Sequence, residues 1–274
     1  MKILNKLKSK LAKAKRKNNR KKNWDLYSKI LINNGFIISR EDVTVKADIY
    51  YLMESPELLT KVGNIDFNHA NLDGAIVFAS FDRPNGSKAR KWINTTVDNH
   101  LLSDKFCEMP ESLDIKNIKN KAIISRSQKE YLSGHKLRHK IYPSKNIDIL
   151  ELDGTIENTN AIYKQYKYMI VIENSITPGY VTEKFFDAIK CGCAILYMGD
   201  YEKVKSLGYK NIYKLNDIYE VEELTRKLID EESWSEEVAI QNFNNLIKMR
   251  EDSLDKFLSF PSYHLYMETK YEDN

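Results

Sequence analysis

The chain of 274 residues is 42% hydrophobic and 11% aromatic, which is typical of a globular protein and sufficient for two cores of moderate size. Its formal net charge of +4 divides into +11 within residues 1–22 and −7 in the other 252 residues. No run of 18 apolar residues occurs, which excludes an ordinary membrane-spanning helix. The basic character therefore lies in a short arm and not in the body of the protein.

Residues 1–23 are predicted to form a basic amphipathic arm. Apolar residues recur at helical spacing among its lysines and arginines, at Ile3, Leu4, Leu7 and Leu11. This pattern is typical of a helix that lies on an anionic membrane surface, and a solvated tail fits the same residues equally well. Nucleic-acid binding is a weaker third interpretation, and we expect none, because no basic and aromatic pattern continues beyond the arm.

Cysteine usage and the first residues predict the compartment. The three cysteines are an odd number and show neither the spacing of a zinc site nor that of a disulfide framework, so we expect reduced thiols. The charged start lacks the apolar segment of a signal peptide. We therefore predict a cytoplasmic protein, which would touch the inner face of the membrane if the arm binds lipid.

Residues 24–117 are predicted to form an N-terminal domain. Two apolar segments, Val45–Ser55 and Gly74–Ser80, are predicted to be buried strands, and Arg83–Lys91 is predicted to be a turn with a basic cluster. Residues 102–121 show little periodicity and predict a connection, which sets a domain boundary near residue 117.

Residues 118–260 alternate regularly between predicted strands and helices. The predicted strands are Ala122–Ser125, Asn146–Leu150, Tyr168–Glu173, Cys193–Gly199 and Asn211–Leu215. The predicted helices are Gln128–Ile141, Asn158–Tyr166, Tyr180–Lys190, Asp217–Asp230 and Ser235–Phe257. This alternation predicts an α/β domain with a parallel, doubly wound sheet and helices on both of its faces. Residues 261–274 remain as a tail.

The stretch Glu173–Lys184 places polar residues at the junction of a predicted strand and a predicted helix. In open parallel sheets, ligands bind beyond the carboxyl ends of the strands. A helix that starts at Tyr180 would offer free amide groups and its positive dipole end to an anion such as a diphosphate, and Lys184 would add a full charge. Glu183 and Asn174 are suited to hold the hydroxyl groups of a ribose or a sugar.

A purely structural interpretation of the same stretch is also open. In it, Thr182 or Ser175 caps the helix, Glu183 interacts with the helix dipole from the first turn, and Lys184 faces solvent. Each residue alone favours this interpretation. Five polar groups at one strand end favour a ligand site.

The sequence IENSITPGYVTEKFFDAIKCGCAILYMGD resembles the donor-binding signature of the α1,3-fucosyltransferases, glycosyltransferase family 10. That signature reads Glu-Asn-Ser, a few variable residues, Tyr-Val-Thr-Glu-Lys, a helix, a glycine and a strand. The resemblance implies the GT-B fold, with two Rossmann-like domains built on parallel sheets, of which the C-terminal half is the better defined. It also implies inverting transfer of fucose from GDP-fucose to a glycan hydroxyl. The donor-binding residues would be Glu173, Asn174, Tyr180, Glu183 and Lys184.

Two further segments are similar to the same family. The segment KNKAIISRSQKEYLSGHKLRHKIYPSKNIDIL places Arg138 where the family has an arginine that meets the diphosphate, with Arg126 as the second choice. The segment YYLMESPEL is similar to the family's Glu-Ser-Pro segment, which makes Glu54 the candidate catalytic base. The structural alternative for Glu54 is a carboxylate at a strand end before Pro56.

The resemblance has gaps, which leave other functions open. The segment CGCAILYMGDYEKVKSLGY lacks the proline of the family's Val-Pro-Val strand and the proline-rich loop after it, so the guanine or fucose pocket is undefined. Residues 24–117 would bind the acceptor, and residues 118–260 the donor. No Asp-x-Asp pair occurs, so neither a required metal nor a tightly bound cofactor is indicated. The alternatives are a GT-B enzyme that uses another nucleotide sugar, and a non-catalytic sugar-binding or membrane-associated protein of this fold.

Overall fold

The computed structural model describes residues 37–95 and 118–259, apart from residues 41, 53, 62, 63 and 154–157, and also residues 112, 113 and 115. The predicted arm and tail, residues 1–23 and 261–274, lie outside the described residues. The structure forms two parallel sheets, one in an N-terminal half (residues 37–95) and one in a C-terminal half (residues 118–259). No helix among the described residues is both long and apolar enough to cross a membrane.

The N-terminal half is built on a four-stranded sheet with the strand order β1-β2-β3-β4. The strands are β1 (Ile38–Arg40), β2 (Ile49–Leu52), β3 (Ile76–Ala79) and β4 (Lys91–Asn94), and all neighbours are parallel. Helix α1 (Pro56–Lys61) follows β2, and a 3-10 turn at Ala70–Leu72 precedes β3. The two inner strands are buried at every position, which confirms the two predicted strands in shorter form. The outer strands were not predicted because their sequences, ISR and KWIN, carry polar residues suited to sheet edges.

The C-terminal half is built on a five-stranded sheet with the order β6-β5-β7-β8-β9, again with all neighbours parallel. Its strands are β5 (Lys119–Ser127), β6 (Ile147–Leu152), β7 (Tyr166–Ile172), β8 (Ala194–Met198) and β9 (Ile212–Lys214). Its helices are α2 (Ser133–His139), α3 (Asn160–Tyr163), α4 (Glu183–Lys190), α5 (Tyr201–Ser206), α6 (Val221–Asp230) and α7 (Glu236–Ser259). A 3-10 turn at Ile218–Glu220 leads into α6. All five predicted strands of this half are confirmed within a few residues.

Several predicted helix limits are wrong. The helix predicted over Gln128–Ile141 is reduced to α2, since β5 extends to Ser127 and the helix begins only at Ser133. The helix predicted over Asn158–Tyr166 is reduced to α3, because Tyr166 already pairs with Lys119 in the sheet. Helix α5 was not predicted.

Helices cover both faces of the C-terminal sheet, as predicted. Alternate residues of β7 point to opposite faces, so Met169 and Val171 pack with α4 and α7 while Ile170 packs with α2 and α6. The two apolar clusters contain side chains that are fully buried, such as Phe185 on one face. The packing of helices on both faces of the sheet fixes the positions of the strand ends.

The strand order places a crevice beside β5 and β7. From β5 the chain moves outward to β6 on one side, and it then returns to form β7 on the other side. Such a reversal of strand order is a topological switch point, and ligands of open α/β sheets bind in the crevice beyond the carboxyl ends of the strands there. The segment that follows β7, residues 173–184, therefore stands where the fold favours a ligand site.

Candidate functional site

Glu173, the first residue after β7, is completely buried. Its Oε1 accepts hydrogen bonds from Thr182 N at 2.9 Å and from the Tyr197 hydroxyl at 3.3 Å, and its Oε2 accepts from Thr182 Oγ1 at 2.6 Å. Burial raises the pKa of Glu173, while the charge of Lys184 and the hydrogen bonds from Thr182 oppose that rise. The carboxylate ties the strand end to the helix start. In this structure Glu173 supports the site from within and does not form its surface.

The amino terminus of α4 differs from the prediction. The helix begins at Glu183 and not at Tyr180, and Thr182 is its N-cap, with Oγ1 accepting from Lys184 N. Thr182 N is itself bound by Glu173. Two amide groups that were predicted to be free, those of Thr182 and Lys184, are therefore already bound, one by a buried carboxylate and the other by a capping hydroxyl. The predicted capping role of Thr182 is confirmed.

Lys184 and Glu183 form the partly exposed, charged edge of the site. Lys184 Nζ lies 3.1 Å from Thr182 Oγ1 and 3.3 Å from Glu183 Oε1. The side chains of Lys184 and Glu183 are 22% and 31% exposed. Both ionic groups are thus held in place by neighbours and remain open to solvent on one side, the arrangement that a polar ligand requires.

Arg138 lies under the same strand end. The guanidinium donates to Ile172 O and, over 2.8 Å, to Asn174 Oδ1. Burial lowers the pKa of Arg138, and the carboxylates of Glu173 and Glu183 oppose that shift. A guanidinium stays charged in proteins, so Arg138 supplies a fixed positive charge at the carboxyl end of β7.

Arg126, the second choice for that role, lies elsewhere. Its Nε donates to Glu151 Oε1 at 2.7 Å and its Nη1 to Ile141 O at 3.0 Å, so it joins β5 to β6 and to the segment before β6. Of the two arginines, Arg138 is the one that the structure brings to the segment after β7.

Tyr180 joins the two halves. Its side chain is 6% exposed and packs in the apolar cluster of the N-terminal half with Leu52 and Phe81. Burial raises the pKa of its hydroxyl, and the negative charges of nearby carboxylates, including Glu54, add to this. The donor motif predicted for one half therefore extends into the core of the other.

Glu54 lies beyond the carboxyl end of β2 and is exposed. Its backbone carbonyl accepts from Ser80 Oγ at 2.9 Å, and the next residue, Ser55, accepts from Leu58 N at the start of α1. Its charge acts on Tyr180. The backbone of Glu54 is thus held next to β3 and α1, and its side chain remains exposed.

The two sheets meet through their carboxyl ends. Glu57, after β2, accepts from Ser133 N with both oxygens at 3.1 Å and from Ser133 Oγ at 2.7 Å. After β3, Asp82 N donates to Pro178 O at 3.0 Å. Glu57 and Asp82 follow strands of the N-terminal sheet, whereas Ser133 and Pro178 follow β5 and β7. Segments that follow strands of the two sheets are therefore hydrogen-bonded to each other.

Two residues near the site were missed by the sequence analysis. A Cβ on Gly134 would lie 1.7 Å from Glu173 O, so only glycine allows α2 to approach the end of β7 this closely. A glycine at the start of a helical pattern is a signal of such an approach. His135 beside it is 5% exposed, and its Nδ1 has no hydrogen-bond partner among the residues that the structure describes.

The surroundings of His135 keep its imidazole neutral. Burial, followed by the positive charges of Arg138, Lys129 and Lys184, lowers its pKa from 6.5 to about 4, while Glu57 opposes this shift. No role was predicted for this histidine from the sequence. Its tertiary neighbours come from three separate segments, so no local pattern could reveal them.

Within the described parts of the chain, His, Cys, Asp and Glu side chains form no group of three that could hold a metal ion. No protein-family model matches the chain, and no curated protein is found to be similar to it. The resemblance of the segment after β7 to the fucosyltransferases therefore stays a prediction that rests on its residues.

Proposed function

We propose that this protein is an inverting glycosyltransferase of the GT-B type that transfers fucose from GDP-fucose to a hydroxyl group of a glycan. The observation that carries the proposal is the grouping of Arg138, Asn174 and Lys184 at the switch point of a parallel sheet. These residues belong to the segments that resemble the family. Tyr180 and Glu183 complete the set in the same place.

The way in which the two sheets meet supports a GT-B architecture. In that architecture two Rossmann-like domains enclose a nucleotide sugar and its acceptor between the carboxyl ends of their strands. Here the contacts Glu57–Ser133 and Asp82–Pro178 join these ends. The N-terminal half would then bind the acceptor, and the C-terminal half the nucleotide.

Positive charge at the site suits a diphosphate leaving group. When the bond between the fucose carbon and the β-phosphate oxygen breaks, the electron pair leaves with GDP and negative charge grows on the diphosphate. Arg138 and Lys184 would stabilise that charge from fixed positions. Because Glu173 occupies the amino terminus of α4, the two side chains carry this role and the helix end contributes less than predicted.

Glu54 is the proposed base. The acceptor oxygen attacks the fucose carbon from the face opposite the leaving diphosphate, and its proton passes to the Glu54 carboxylate. An exposed carboxylate at a strand end of the acceptor half can be reached by a sugar hydroxyl. The buried Glu173 cannot serve, since its oxygens are bound by Thr182 and Tyr197.

The experiment that tests the proposal measures fucose release from GDP-fucose without acceptor, and fucose transfer to an array of glycans. We expect both activities in the wild type. Glu54→Gln should lower transfer by about 10²- to 10⁴-fold with GDP affinity unchanged. Asp66→Asn, which alters another exposed carboxylate of the same half, is the matched control and should keep full transfer.

The outcomes separate the alternatives. If the protein releases sugar from a different nucleotide sugar and none from GDP-fucose, the proposed donor is wrong and the proposed GT-B fold still stands. Binding of glycans without any release or transfer would indicate a sugar-binding protein. Full transfer by Glu54→Gln would place the base elsewhere.

A further inference from the structure

The turn between β7 and α4, residues 177–179, is held by both halves of the molecule. From the N-terminal half, Asp82 N donates to Pro178 O at 3.0 Å and Asn94 Nδ2 donates to Gly179 O at 3.0 Å. From the C-terminal half, Asp200 Oδ2 accepts from Gly179 N at 2.6 Å. The turn is therefore hydrogen-bonded to both halves.

Asn94 and Asp82 form one unit. Asn94 Nδ2 donates to Asp82 Oδ1 at 2.7 Å as well as to Gly179 O. Asn94 ends β4 and Asp82 follows β3, so neighbouring strands of the N-terminal sheet place both residues. The backbone of a sheet, and not a loose loop, determines where the turn is anchored.

Neighbouring side chains pack so closely around Gly179 that no larger residue fits there. Its φ is +74°, and a Cβ built there would lie 2.3 Å from both Asn94 Nδ2 and Asp82 Oδ1. The next residue, Tyr180, is buried in the apolar cluster of the N-terminal half. The turn and Tyr180 are thus attached to the N-terminal half, while Thr182 is attached to Glu173 in the C-terminal half.

We propose that Asn94 and Asp82 are positioning residues of the donor site, through which the N-terminal half sets the affinity for the nucleotide. This inference rests on the proposed function. Asn94 holds the turn, the turn fixes Tyr180, and Tyr180 is one of the donor-binding residues. Neither Asn94 nor Asp82 is required to touch the donor.

A second consequence concerns the acceptor. If the N-terminal half binds the glycan and also holds the donor turn, any acceptor-induced movement of β3 and β4 reaches Tyr180 through two hydrogen bonds. If bound acceptor changes the affinity for the donor in this way, linkage requires bound donor to change the affinity for the acceptor by the same factor. Asn94→Ala should reduce this factor.

The test compares GDP affinity, measured by calorimetry, for the wild type, Asn94→Ala and Asn71→Ala. Asn71 is a matched control, because its Nδ2 also donates to two carbonyl oxygens, those of Val43 and Thr44, but does not contact the turn. We expect Asn94→Ala to weaken GDP binding by about three- to tenfold, the loss expected for one hydrogen bond. Asn71→Ala should bind GDP as the wild type does, whatever its thermal stability.

A double variant separates positioning from general stability. Asp82→Asn with Asn94→Asp restores a hydrogen bond between the two side chains but removes the donor to Gly179 O. We expect it to recover thermal stability relative to Asn94→Asp alone and to keep the weakened GDP affinity. Recovery of GDP affinity in the double variant would overturn the positioning role. If Asn94→Ala does not fold, the isosteric variant Asn94→Asp replaces it in the GDP-affinity measurement.

The result for the wild type distinguishes the two proposals. A wild-type protein that binds no GDP overturns the proposed function, and the donor-site inference with it. A wild-type protein that binds GDP, with an affinity equal to that of Asn94→Ala, overturns the inference alone. Faster amide exchange over residues 177–184 in Asn94→Ala than in Asn71→Ala is the expected physical signature.

Discussion

Helices α4 and α2 both begin beside the end of β7, but their amino termini are satisfied in different ways. At α4, the cap Thr182 and the buried Glu173 belong to the same half and are shielded from solvent. At α2, the cap position Leu132 supplies no side-chain hydrogen bond, and Ser133 N is bound by Glu57 from the other half. The start of α4 is therefore complete within its own half, whereas the start of α2 is completed only when the halves are together.

This difference assigns different tasks to the two helices. Helix α4 presents Lys184 and Glu183 on a fixed support. Helix α2 carries Arg138 and His135 and is sensitive to the arrangement of the halves. Substitutions at Gly134, Glu173, His135 and Glu57 test this contrast, in decreasing order of expected effect.

Gly134→Ala should have the largest effect. Its Cβ would meet the backbone of Glu173 and Asn174 at 1.7–2.9 Å, so α2 must move away from the end of β7. We expect a loss of more than about 3 kcal/mol in the free energy of unfolding, measured with urea. Gly74→Ala is the control, since no atom lies within 4 Å of its Cβ and only the positive φ costs about 1 kcal/mol. Equal stability of the two variants would contradict the close contact.

Glu173→Ala should destabilise the C-terminal half by about 3 kcal/mol. The substitution leaves Thr182 N, Thr182 Oγ1 and the Tyr197 hydroxyl without their buried acceptor and also opens a cavity. Urea unfolding measures the loss. A loss below about 1 kcal/mol would show that α4 does not depend on this carboxylate.

His135→Gln should change the dependence of stability on pH. Because the pKa of His135 is lowered to about 4 in the folded state, folding favours the neutral imidazole. The stability that this provides is complete above pH 6.5 and is lost as the pH falls toward 4. The wild type should therefore lose on the order of 1–3 kcal/mol more than His135→Gln between pH 7 and pH 4. Parallel curves for the two proteins would show that folding does not shift the pKa of His135.

Glu57→Ala should have the smallest effect on stability, about 0.5–1 kcal/mol, because the lost hydrogen bonds are partly exposed. Its expected signature is local, namely faster amide exchange at Ser133 with unchanged exchange at Thr182. Comparison with Glu173→Ala shows whether the starts of α2 and α4 depend on different carboxylates. If Glu57→Ala accelerated amide exchange equally at Ser133 and Thr182, the difference between the two helix starts would be contradicted.

The sequence was sufficient for the parts of the fold that depend on local pattern. Buried strands such as Tyr166–Ile172 are continuous apolar runs, and their alternation with helices predicted the parallel sheet of the C-terminal half. The position of residues 173–184 at a strand end also followed from this alternation.

The support of the site depends on distant pairs and could not be predicted. Glu57 and Ser133 are 76 residues apart, and Asn94 and Gly179 are 85 residues apart. Nothing in the periodicity of either segment indicates its partner. The burial of Glu173 was missed for the same reason, since the sequence shows a polar residue at a strand end whether its carboxylate faces solvent or a neighbouring hydroxyl.

The most direct measurement is a calorimetric titration of GDP into the wild type, Lys184→Ala and Lys227→Ala. Lys184 lies at the proposed diphosphate site, whereas Lys227 on α6 makes an exposed ion pair with Glu231 and is the charge-matched control. We expect the wild type and Lys227→Ala to bind GDP equally well, and Lys184→Ala to bind it more weakly by about tenfold or more. Equal GDP affinity in all three proteins, or no GDP binding by the wild type, would contradict the nucleotide site after β7.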